Sequence, residues 1–261
     1  MCLIGFRWHP GVAIPLLVAA NRDEFYERPT APMAWREGGQ LLAGRDLKAG
    51  GTWLGLTRTG RFAALTNHRD PTLVRPEGPS RGRLPLAFLE GEATPERFLE
   101  GLRQDSGASS PYNLLLCDGT DLVGYESRGD RVVRFEAGVH AVANGAFNEP
   151  WPKVTVLKDS LAVAGDDLEA LLAALQDELA FPDASLPHTG VSLDWERALS
   201  PRFIRTPTYG TRASTVLALG RRDVAVIERT FTAQGREGER RFEFVLTTAS
   251  AGTTAKKEKT N

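Results

Sequence analysis

The stretch CLIGFRWHPGVAIPLLVAANRDE, residues 2–24, decides the fold of this chain. Alternating small, apolar and polar positions from Cys2 to Trp8 predict a strand, and the His-Pro-Gly sequence that follows is typical of a turn. Residues 12–20 are apolar throughout, which predicts a second and more fully buried strand. The chain is therefore expected to begin with a hairpin, and residues 21–24 are expected to leave its second strand.

The rest of the chain alternates between groups of strands and pairs of helices. Apolar residues recur at helical spacing near residues 84–90, 95–104, 151–164 and 168–179. Short segments of strand composition, many separated by glycine-containing turns, precede, separate and follow the two helix pairs. Antiparallel hairpins of this kind predict an α+β fold in which helices cover the faces of stacked sheets. We expect one domain over residues 1–247 and a disordered, lysine-rich polar tail over residues 248–261.

Composition excludes several classes of protein. The 32 basic and 33 acidic residues leave a formal net charge of −1, which gives no electrostatic basis for binding nucleic acid. The apolar residues 12–20 include Pro15 and are far fewer than the ~20 that a membrane-spanning helix needs. Two cysteines are too few for a disulfide scaffold, and the sequence has no metal-ligand spacing. We therefore expect a cytoplasmic protein without a membrane span, a nucleic-acid partner or a metal.

Cys2 is the first candidate for chemistry. Removal of Met1 would leave a thiol and a free α-amine on one residue. The amine has a reference pKa of about 7.7–8.0, so it can act as the base for its own thiol. One residue would then supply both the nucleophile and its base. The alternative is that Cys2 is only a small residue that follows the start codon.

Three polar residues are expected at strand ends, where a rigid sheet could aim them at Cys2. A turn near residues 9–11 returns Asp23 to the side of Cys2, and its carboxylate could orient the α-amine. Asn67 and Asn144 end two further predicted strands, where an amide can donate to an oxyanion. Each asparagine taken alone is also typical of a turn.

Several other residues have two interpretations. Trp53 and Trp151 would either pack in the core or stack on a ligand. Lys153 follows a proline at the start of a predicted helix, where the helix dipole does not favour a cation, so its ammonium group would reach toward an acidic ligand or toward solvent. We assign Trp53 and Lys153 to substrate binding as hypotheses. Cys117 is expected to be a small buried residue at a strand end.

The tetrapeptide Asn21-Arg22-Asp23-Glu24 resembles the signature of the NRDE proteins, relatives of the eukaryotic transport-and-Golgi-organisation protein. Further motifs of that family occur along the chain, namely Met1-Cys2, Gly44-Arg45-Asp46, GGTWLG at 50–55, Thr66-Asn67, Ala143-Asn144-Gly145, PWPK at 150–153 and Tyr209-Gly210-Thr211-Arg212. Together they cover the whole chain except the tail. On these motifs the chain is identified as a member of the NRDE family.

The NRDE family is similar to the N-terminal-nucleophile hydrolases, in particular to the choloylglycine, penicillin V and ceramide amidase branch. The resemblance implies an αββα four-layer sandwich, in which two stacked and mainly antiparallel sheets are flanked by helices. By motif match it implies that Cys2 is the nucleophile and Asp23 the carboxylate that orients the amine. Asn67 and Asn144 resemble the two oxyanion positions. Arg212 resembles the late active-site arginine, which would tune the amine or hold a substrate carboxylate.

One position departs from the pattern of that branch. An arginine is expected three residues before the aspartate, and here that position is Ala20. Arg22 is displaced from it by two residues, which keeps strand parity, so that its side chain can point to the same side. We therefore include Arg22 among the candidate catalytic residues.

The resemblance implies two functions. The first is hydrolysis of an amide or thioester in an acylated small molecule, without a cofactor. The second is non-enzymatic trafficking of haem, lipid or acyl-coenzyme A, for which the partner is an amphipathic ligand. The candidate axial ligands for haem are a cysteine or one of the histidines His9, His68, His140 and His188. The sequence has no Cys-x-x-Cys-His attachment motif, and it leaves the ligand and the oligomeric state open.

Overall fold

Two antiparallel sheets and five α-helices make up the described part of the chain, residues 2–36, 38–104 and 109–248 of the computed structural model. The strands are β1 (Cys2–Trp8), β2 (Leu16–Phe25), β3 (Thr30–Trp35), β4 (Leu41–Asp46), β5 (Leu54–Thr57), β6 (Phe62–Asn67), β7 (Tyr112–Cys117), β8 (Leu122–Glu126), β9 (Arg131–Arg134), β10 (Gly138–Val142), β11 (Tyr209–Leu219), β12 (Asp223–Thr232) and β13 (Gly235–Val245). The helices are α1 (Arg83–Glu90), α2 (Pro95–Gln104), α3 (Pro152–Ala164), α4 (Leu168–Leu175) and α5 (Leu193–Ala198). The six-stranded sheet has the order β10-β1-β2-β11-β12-β13, and the seven-stranded sheet runs from β3 to β9 in sequence order.

The hairpin predicted at the start of the chain is confirmed, and both of its strands lie inside the six-stranded sheet. β1 pairs with β2 antiparallel, in a register that places Cys2 opposite Arg22. Residues that face each other in an antiparallel pair point to the same side of the sheet. The side chains of Cys2 and Arg22 are therefore direct neighbours.

Alternation along β1 explains how four layers form. Phe6 and Trp8 point into an apolar core between the two sheets, where they meet side chains of the second sheet such as Leu54. Leu3 points to the opposite face and belongs to a second core with α3 and α4, which includes Leu157. On the outer side of the seven-stranded sheet, α1 and α2 close a third core. The order helices, sheet, sheet, helices is the αββα sandwich that the resemblance implied.

The second strand of the hairpin starts later and ends later than expected. We predicted residues 12–20, but β2 begins after the bend that contains Pro15 and continues through the NRDE tetrapeptide to Phe25. The tetrapeptide stays in the strand because β11 pairs with it on the other side, with Thr211 opposite Asp23. Asp23 therefore lies inside a strand and not at its end.

The four predicted helices are present, with differences at their ends. The fourth stops at Leu175, where Asp177 leaves the helical path and accepts a hydrogen bond from Arg202 (2.6 Å). A fifth helix, α5, was not predicted, because six residues are too few to show a clear helical period. The side chain of Ser192 caps its N-terminus by accepting a hydrogen bond from the Trp195 N–H.

The predicted tail, residues 248–261, lies outside the described residues except for Thr248. The division of the chain into one domain and a tail therefore stays a prediction. Among the helices that the structure describes, none is both long enough and apolar enough to cross a bilayer.

Gly44 in β4 determines where the indole ring of Trp53 lies. A Cβ atom at this position would come within 2.2 Å of that ring. The ring is buried and belongs to the core between the sheets, so it has little room to move away. This close approach of a ring to the strand backbone is what requires glycine here.

Replacement Gly44→Ala is expected to lower the free energy of unfolding by about 1–3 kcal/mol, because the added methyl group would displace a ring in a packed core. Urea denaturation followed by circular dichroism measures the change. Gly11→Ala is the matched control, since a Cβ atom there would meet nothing within 4 Å. Equal stability of the two variants would contradict the prediction.

Candidate active site

Cys2 lines a cleft of about 360 Å³ between the two sheets. The six-stranded sheet contributes Cys2 and Arg22, and the seven-stranded sheet contributes Leu65 and Asn67. The loop that leads into α1 supplies much of the remaining wall, within residues 74–82. Of the eight residues that the sequence analysis assigned to the site, five line this cleft: Cys2, Arg22, Asp23, Trp53 and Asn67.

The thiol of Cys2 is almost buried, with 9% of the residue exposed. Burial raises the pKa of the Cys2 thiol, and the Asp23 carboxylate raises it further. The Arg22 cation and a hydrogen bond from the Asp23 backbone N–H act in the opposite direction without reversing the shift. The thiol is therefore protonated at neutral pH and needs a base before it can attack a carbonyl.

The NRDE tetrapeptide places its side chains on both faces of the six-stranded sheet, because successive residues of a strand alternate. Asn21 faces the helical layer, where its amide donates to the carbonyls of Leu175 and Arg202 (both 2.8 Å). Arg22 faces the cleft between the sheets. Asn21 therefore anchors the end of α4, and Arg22 contributes its side chain to the cleft.

The guanidinium group of Arg22 is a buried cation of the cleft, with 5% of the side chain exposed. It lies 4.5 Å from the centroid of the Trp53 ring, a cation–π contact. The Glu24 carboxylate is 4.0 Å from its Nη2 atom. Its Nη1 atom has no hydrogen-bond partner among the residues that the structure describes. Since a buried donor without a partner costs about 1–3 kcal/mol, this atom is well placed to bind an oxygen atom that enters the cleft.

Asp23 is buried where the cleft meets the helical layer, and Thr211 donates a hydrogen bond to its carboxylate (2.7 Å). Burial raises the pKa of Asp23, and the positive charge of Lys153 opposes that rise. Lys153 is itself buried, and its ammonium group donates to the Leu199 carbonyl (2.8 Å). Burial lowers the pKa of Lys153 to about 8. The interpretation that Lys153 reaches solvent is wrong, because α3 begins under the sheet and points this side chain toward Asp23.

Asn67 is the last residue of β6 and lines the cleft, whereas Asn144 is fully buried and does not line it. The side-chain amide of Asn144 donates to the backbone carbonyl of Asn67 (2.7 Å). The side-chain amide that the sequence assigned to the oxyanion is thus hydrogen-bonded to the backbone of Asn67. In this structure Asn144 positions Asn67 and does not face the cleft.

Arg69 fixes Asn144 from the other side. Its backbone N–H donates to the Asn144 carbonyl (2.7 Å), and its guanidinium group donates to the Glu196 carboxylate in α5 (2.6 Å). Both side chains of this ion pair are at most 5% exposed. Glu196 also accepts hydrogen bonds from the N–H and the hydroxyl of Thr189 (2.9 and 2.6 Å). Removing one partner of a buried ion pair costs ~3–5 kcal/mol, so the pair between Arg69 and Glu196 holds α5 firmly. Through Arg69 and Asn144 this network connects α5 to Asn67.

Arg212 does not line the cleft, in contrast to the role that the resemblance implied for it. Its guanidinium group donates to four backbone carbonyls, those of Phe25, Tyr26, Arg28 and Phe231 (3.1–3.2 Å). The pairing of β11 with β2 has a bulge at this residue, and a bulge redirects the side chain that it carries. Arg212 therefore holds the turn after β2 in place.

The cleft carries more positive than negative groups. Its lining includes four arginines and three carboxylates: Arg22, Arg28, Arg75 and Arg81, and Asp23, Glu24 and Asp46. Arg28 is paired with Asp46 (2.7 Å), and Arg81 donates to the Pro111 carbonyl (3.0 Å). The polar walls favour a ligand with polar or anionic groups.

A second depression of about 460 Å³, the apolar groove, adjoins the cleft. Its apolar lining residues are Phe25, Pro71, Val74, Pro111, Val191, Trp195, Leu199 and Tyr209. Its charged or ionisable lining residues are Glu24, His68, Arg69, Asp70 and Arg81. Asn67 lines both the cleft and the apolar groove, so the two volumes meet at this residue.

Glu228 in β12 is a buried carboxyl group in the same region of the sheet. Its Oε1 atom accepts a hydrogen bond from the Met33 N–H (2.5 Å), and its Oε2 atom lies 3.3 Å from the Thr215 hydroxyl. Burial raises the pKa of Glu228 to about 7, although the charges of Arg240 and Arg22 oppose the rise. A carboxyl group that titrates near neutrality therefore lies within electrostatic reach of the cleft arginine.

Four residues that support the site were not predicted from the sequence: Arg69, Glu196, Thr211 and Glu228. Thr211 lies inside the family motif at residues 209–212, and its place next to Arg212 could have indicated a role in the site. Arg69 follows Asn67 in a polar segment after a strand, which could have marked it. Glu196 and Glu228 gave no signal, because a single acidic residue in a helix or strand is usually exposed.

Comparison with known proteins shows similarity over most of the chain. Residues 1–233 match the family model described as Transport and Golgi organisation 2. The Transport and Golgi organization protein 2 homolog of Bos taurus is 33% identical over 243 residues, which cover 83% of this chain and 88% of that protein. The homolog of Homo sapiens is 31% identical over 244 residues, which cover 83% of this chain and 88% of that protein. Among solved structures, the N-acylethanolamine-hydrolyzing acid amidase ortholog of Caenorhabditis elegans has a TM-score of 0.44 and 13% identity, covering 84% of this chain and 93% of that one.

Replacement Glu228→Gln is expected to stabilise the protein above pH 7 and to have little effect at pH 4.5. A carboxyl group whose pKa rises from 4.5 to about 7 on folding is protonated when folded and ionised when unfolded between those values, so its contribution to stability falls as the pH rises. The variant lacks this loss. The difference in free energy of unfolding between the variant and the wild type should therefore grow by about 1.4 kcal/mol per pH unit between pH 4.5 and about 7. Urea denaturation of both proteins at several pH values tests this. A difference that does not change with pH would contradict it.

Proposed function

The chain belongs to the Transport and Golgi organisation 2 family, and for this member we propose the activity of an N-terminal cysteine hydrolase of amide or thioester bonds. The substrate is an acylated small molecule whose carbonyl group meets the thiol of Cys2. One observation carries the proposal: the thiol faces Arg22 across a strand pair, and Asp23 and Asn67 line the same cleft. A nucleophile, a carboxylate and two donors thus surround one volume.

The first half-reaction uses the α-amine that removal of Met1 exposes on Cys2. The amine takes the thiol proton while the sulfur attacks the substrate carbonyl, which forms a C–S bond and an oxyanion. The raised pKa of the Cys2 thiol supports the need for this base. When the intermediate collapses, the C–N or C–S bond of the substrate breaks, and the ammonium group gives its proton to the leaving group. The acyl group is then a thioester of Cys2.

Water completes the cycle. The free α-amine takes a proton from a water molecule, and the hydroxide attacks the thioester carbonyl. The bond to the Cys2 sulfur breaks, and the thiolate regains a proton from the ammonium group. One water is consumed, a carboxylic acid is released, and no cofactor takes part.

Two donors are proposed to stabilise the oxyanion. Asn67 lines the cleft, and its backbone carbonyl accepts a hydrogen bond from the Asn144 amide (2.7 Å). Arg22 has a buried Nη1 atom without a partner among the described residues, and a charge-assisted hydrogen bond to an oxyanion would satisfy it. Trp53 is assigned a positioning role, because its ring lies against that guanidinium group.

Asp23 is proposed to orient the α-amine, which requires the carboxylate to be ionised. Burial raises the pKa of Asp23 and works against this. Thr211 supports the charged form with a hydrogen bond (2.7 Å), and Lys153 supports it with a positive charge. Lys153 is therefore assigned to Asp23 and not to the substrate.

The reaction needs a thiol that stays reduced. We therefore assign the protein to the cytoplasm, where thiols are kept reduced, as the low cysteine content also suggests.

Replacement Cys2→Ala is expected to abolish turnover of a dodecanoyl anilide and of a dodecanoyl thioester, since it removes the sulfur that forms the acyl-enzyme. Cys117→Ala is the matched control, because Cys117 is buried and lies outside the cleft. Release of the aniline or the thiol is followed by absorbance, and intact mass reports loss of Met1 and the acylated form of Cys2. Retention of Met1, or equal turnover by the two variants, would overturn the proposal.

A second candidate function is carriage of haem or another amphipathic ligand, and the position of His68 favours it. His68 lies on the apolar groove. Burial lowers the pKa of His68, which keeps the imidazole in the neutral form that binds iron.

If the protein carries haem in this way, titration of haemin is expected to shift its Soret band at low micromolar concentration. His68→Ala should remove the shift, whereas His188→Ala, at an exposed position, should retain it. A spectrum that both variants leave unchanged would contradict a ligand role for His68.

A further inference from the structure

We propose that the apolar groove binds the hydrocarbon chain of the acylated substrate and that Trp195 determines which chain lengths fit. The inference rests on the proposed hydrolysis at Cys2 and adds the substrate class, a molecule with a polar part in the cleft and an extended apolar chain.

The cleft and the apolar groove are continuous with each other. Five residues line both the cleft and the apolar groove, namely Glu24, Asn67, Val74, Arg81 and Ser110. A molecule whose carbonyl lies beside Cys2 can therefore continue past Asn67 into the groove. The volumes of about 360 and 460 Å³ each lie within the range typical of small-molecule sites.

Large apolar side chains are exposed along the groove. Phe25, Val74 and Trp195 are 45%, 58% and 40% exposed. The Tyr209 ring joins two of them, with centroids 5.1 Å from Phe25 and 6.0 Å from Trp195, both edge to face. A grouped apolar surface of this kind gains free energy when a hydrocarbon chain covers it.

The two volumes differ in the polarity of their walls. The cleft carries four arginines, while the groove is lined mainly by apolar groups. Among the charged residues that line the groove, Arg69 is paired with Glu196 (2.6 Å), Asp70 is paired with Arg128 (3.2 Å), and Arg81 donates to the Pro111 carbonyl (3.0 Å). An amphipathic acyl compound matches both surfaces at once, with its polar part against the arginines and its chain against the aromatic rings.

The wall that carries Trp195 is held in place by its neighbour on α5. A helix of six residues is not stable alone, so α5 depends on tertiary contacts. Glu196 points inward to Arg69, and the Lys153 ammonium group binds the Leu199 carbonyl at the end of the helix (2.8 Å). Arg69 also holds Asn144, which holds Asn67. Glu196 is therefore a positioning residue that connects the groove wall to the donor at the cleft.

The test compares butanoyl and dodecanoyl thioesters of N-acetylcysteamine. Trp195→Ala is expected to lower kcat/KM for the dodecanoyl compound by roughly tenfold or more, since contact with several methylene groups is lost, and to leave the butanoyl value unchanged. Trp195→Phe should restore most of the loss. Leu193→Ala is the matched control, because Leu193 is 45% exposed on the same helix but does not line the groove. Glu196→Gln should raise KM for the dodecanoyl compound more than it lowers kcat.

A binding measurement separates this inference from the hydrolysis on which it rests. In the Cys2→Ala background, calorimetric titration with dodecanoate should show weaker binding after Trp195→Ala and unchanged binding after Leu193→Ala. If no thioester is hydrolysed but this difference in binding persists, the hydrolase proposal fails and the groove assignment stands. If hydrolysis occurs and Trp195→Ala changes both chain lengths equally, or neither, the groove assignment is overturned.

Discussion

The register between β1 and β2, which sets Cys2 opposite Arg22, is the constraint on which the rest of the site depends. Cys2 stands at the start of the strand, so its position is fixed mainly by cross-strand pairing and by the burial of the residues that follow. Leu3 is buried toward the helices and Ile4 toward the second sheet, and a slip by one residue would exchange the two. Because both faces of β1 are covered by apolar cores, the register is strongly specified. The four-layer architecture is therefore what makes a precise site possible at the beginning of the chain.

The site concentrates buried charge, and its stability depends on partners from elements far apart in sequence. Asp23 on β2 has Thr211 on β11 and Lys153 on α3, while Arg69 has Glu196 on α5. A buried ion without such partners would cost several kcal/mol, so each pair can exist only in the folded structure. Through the same pairs, the helical layer, both sheets and α5 all help to fix the positions of the side chains around the cleft.

The sequence predicted those features that local patterns determine. The period of two in β1 and the turn after it were sufficient for the hairpin, and family motifs were sufficient to name Cys2. The orientation of Asn144 was not predictable, because an amide at a strand end can face a cleft or bond a backbone, and Arg69 decides between them. The direction of the Arg212 side chain was not predictable for a related reason. A bulge redirects this side chain, and strand alternation in the sequence does not reveal a bulge. The only cation paired with buried Glu196 among the described residues, Arg69, lies more than a hundred residues earlier in the chain, so local sequence does not reveal this burial.

The absence of arginine at position 20 moves a cation along β2 without removing it from the cleft. Ala20 pairs with Ile4, one row deeper in the core, whereas Arg22 pairs with the candidate nucleophile itself. Two residues along a strand correspond to about 6.6 Å, so the backbone of Arg22 lies in the row of the thiol and that of Ala20 lies one row further into the core. A small residue suits position 20, since Ala20 belongs to the apolar cluster between the sheets. Arg22, covered by the Trp53 ring and with Nη1 unpartnered among the described residues, therefore places a positive charge in the same row as the Cys2 thiol.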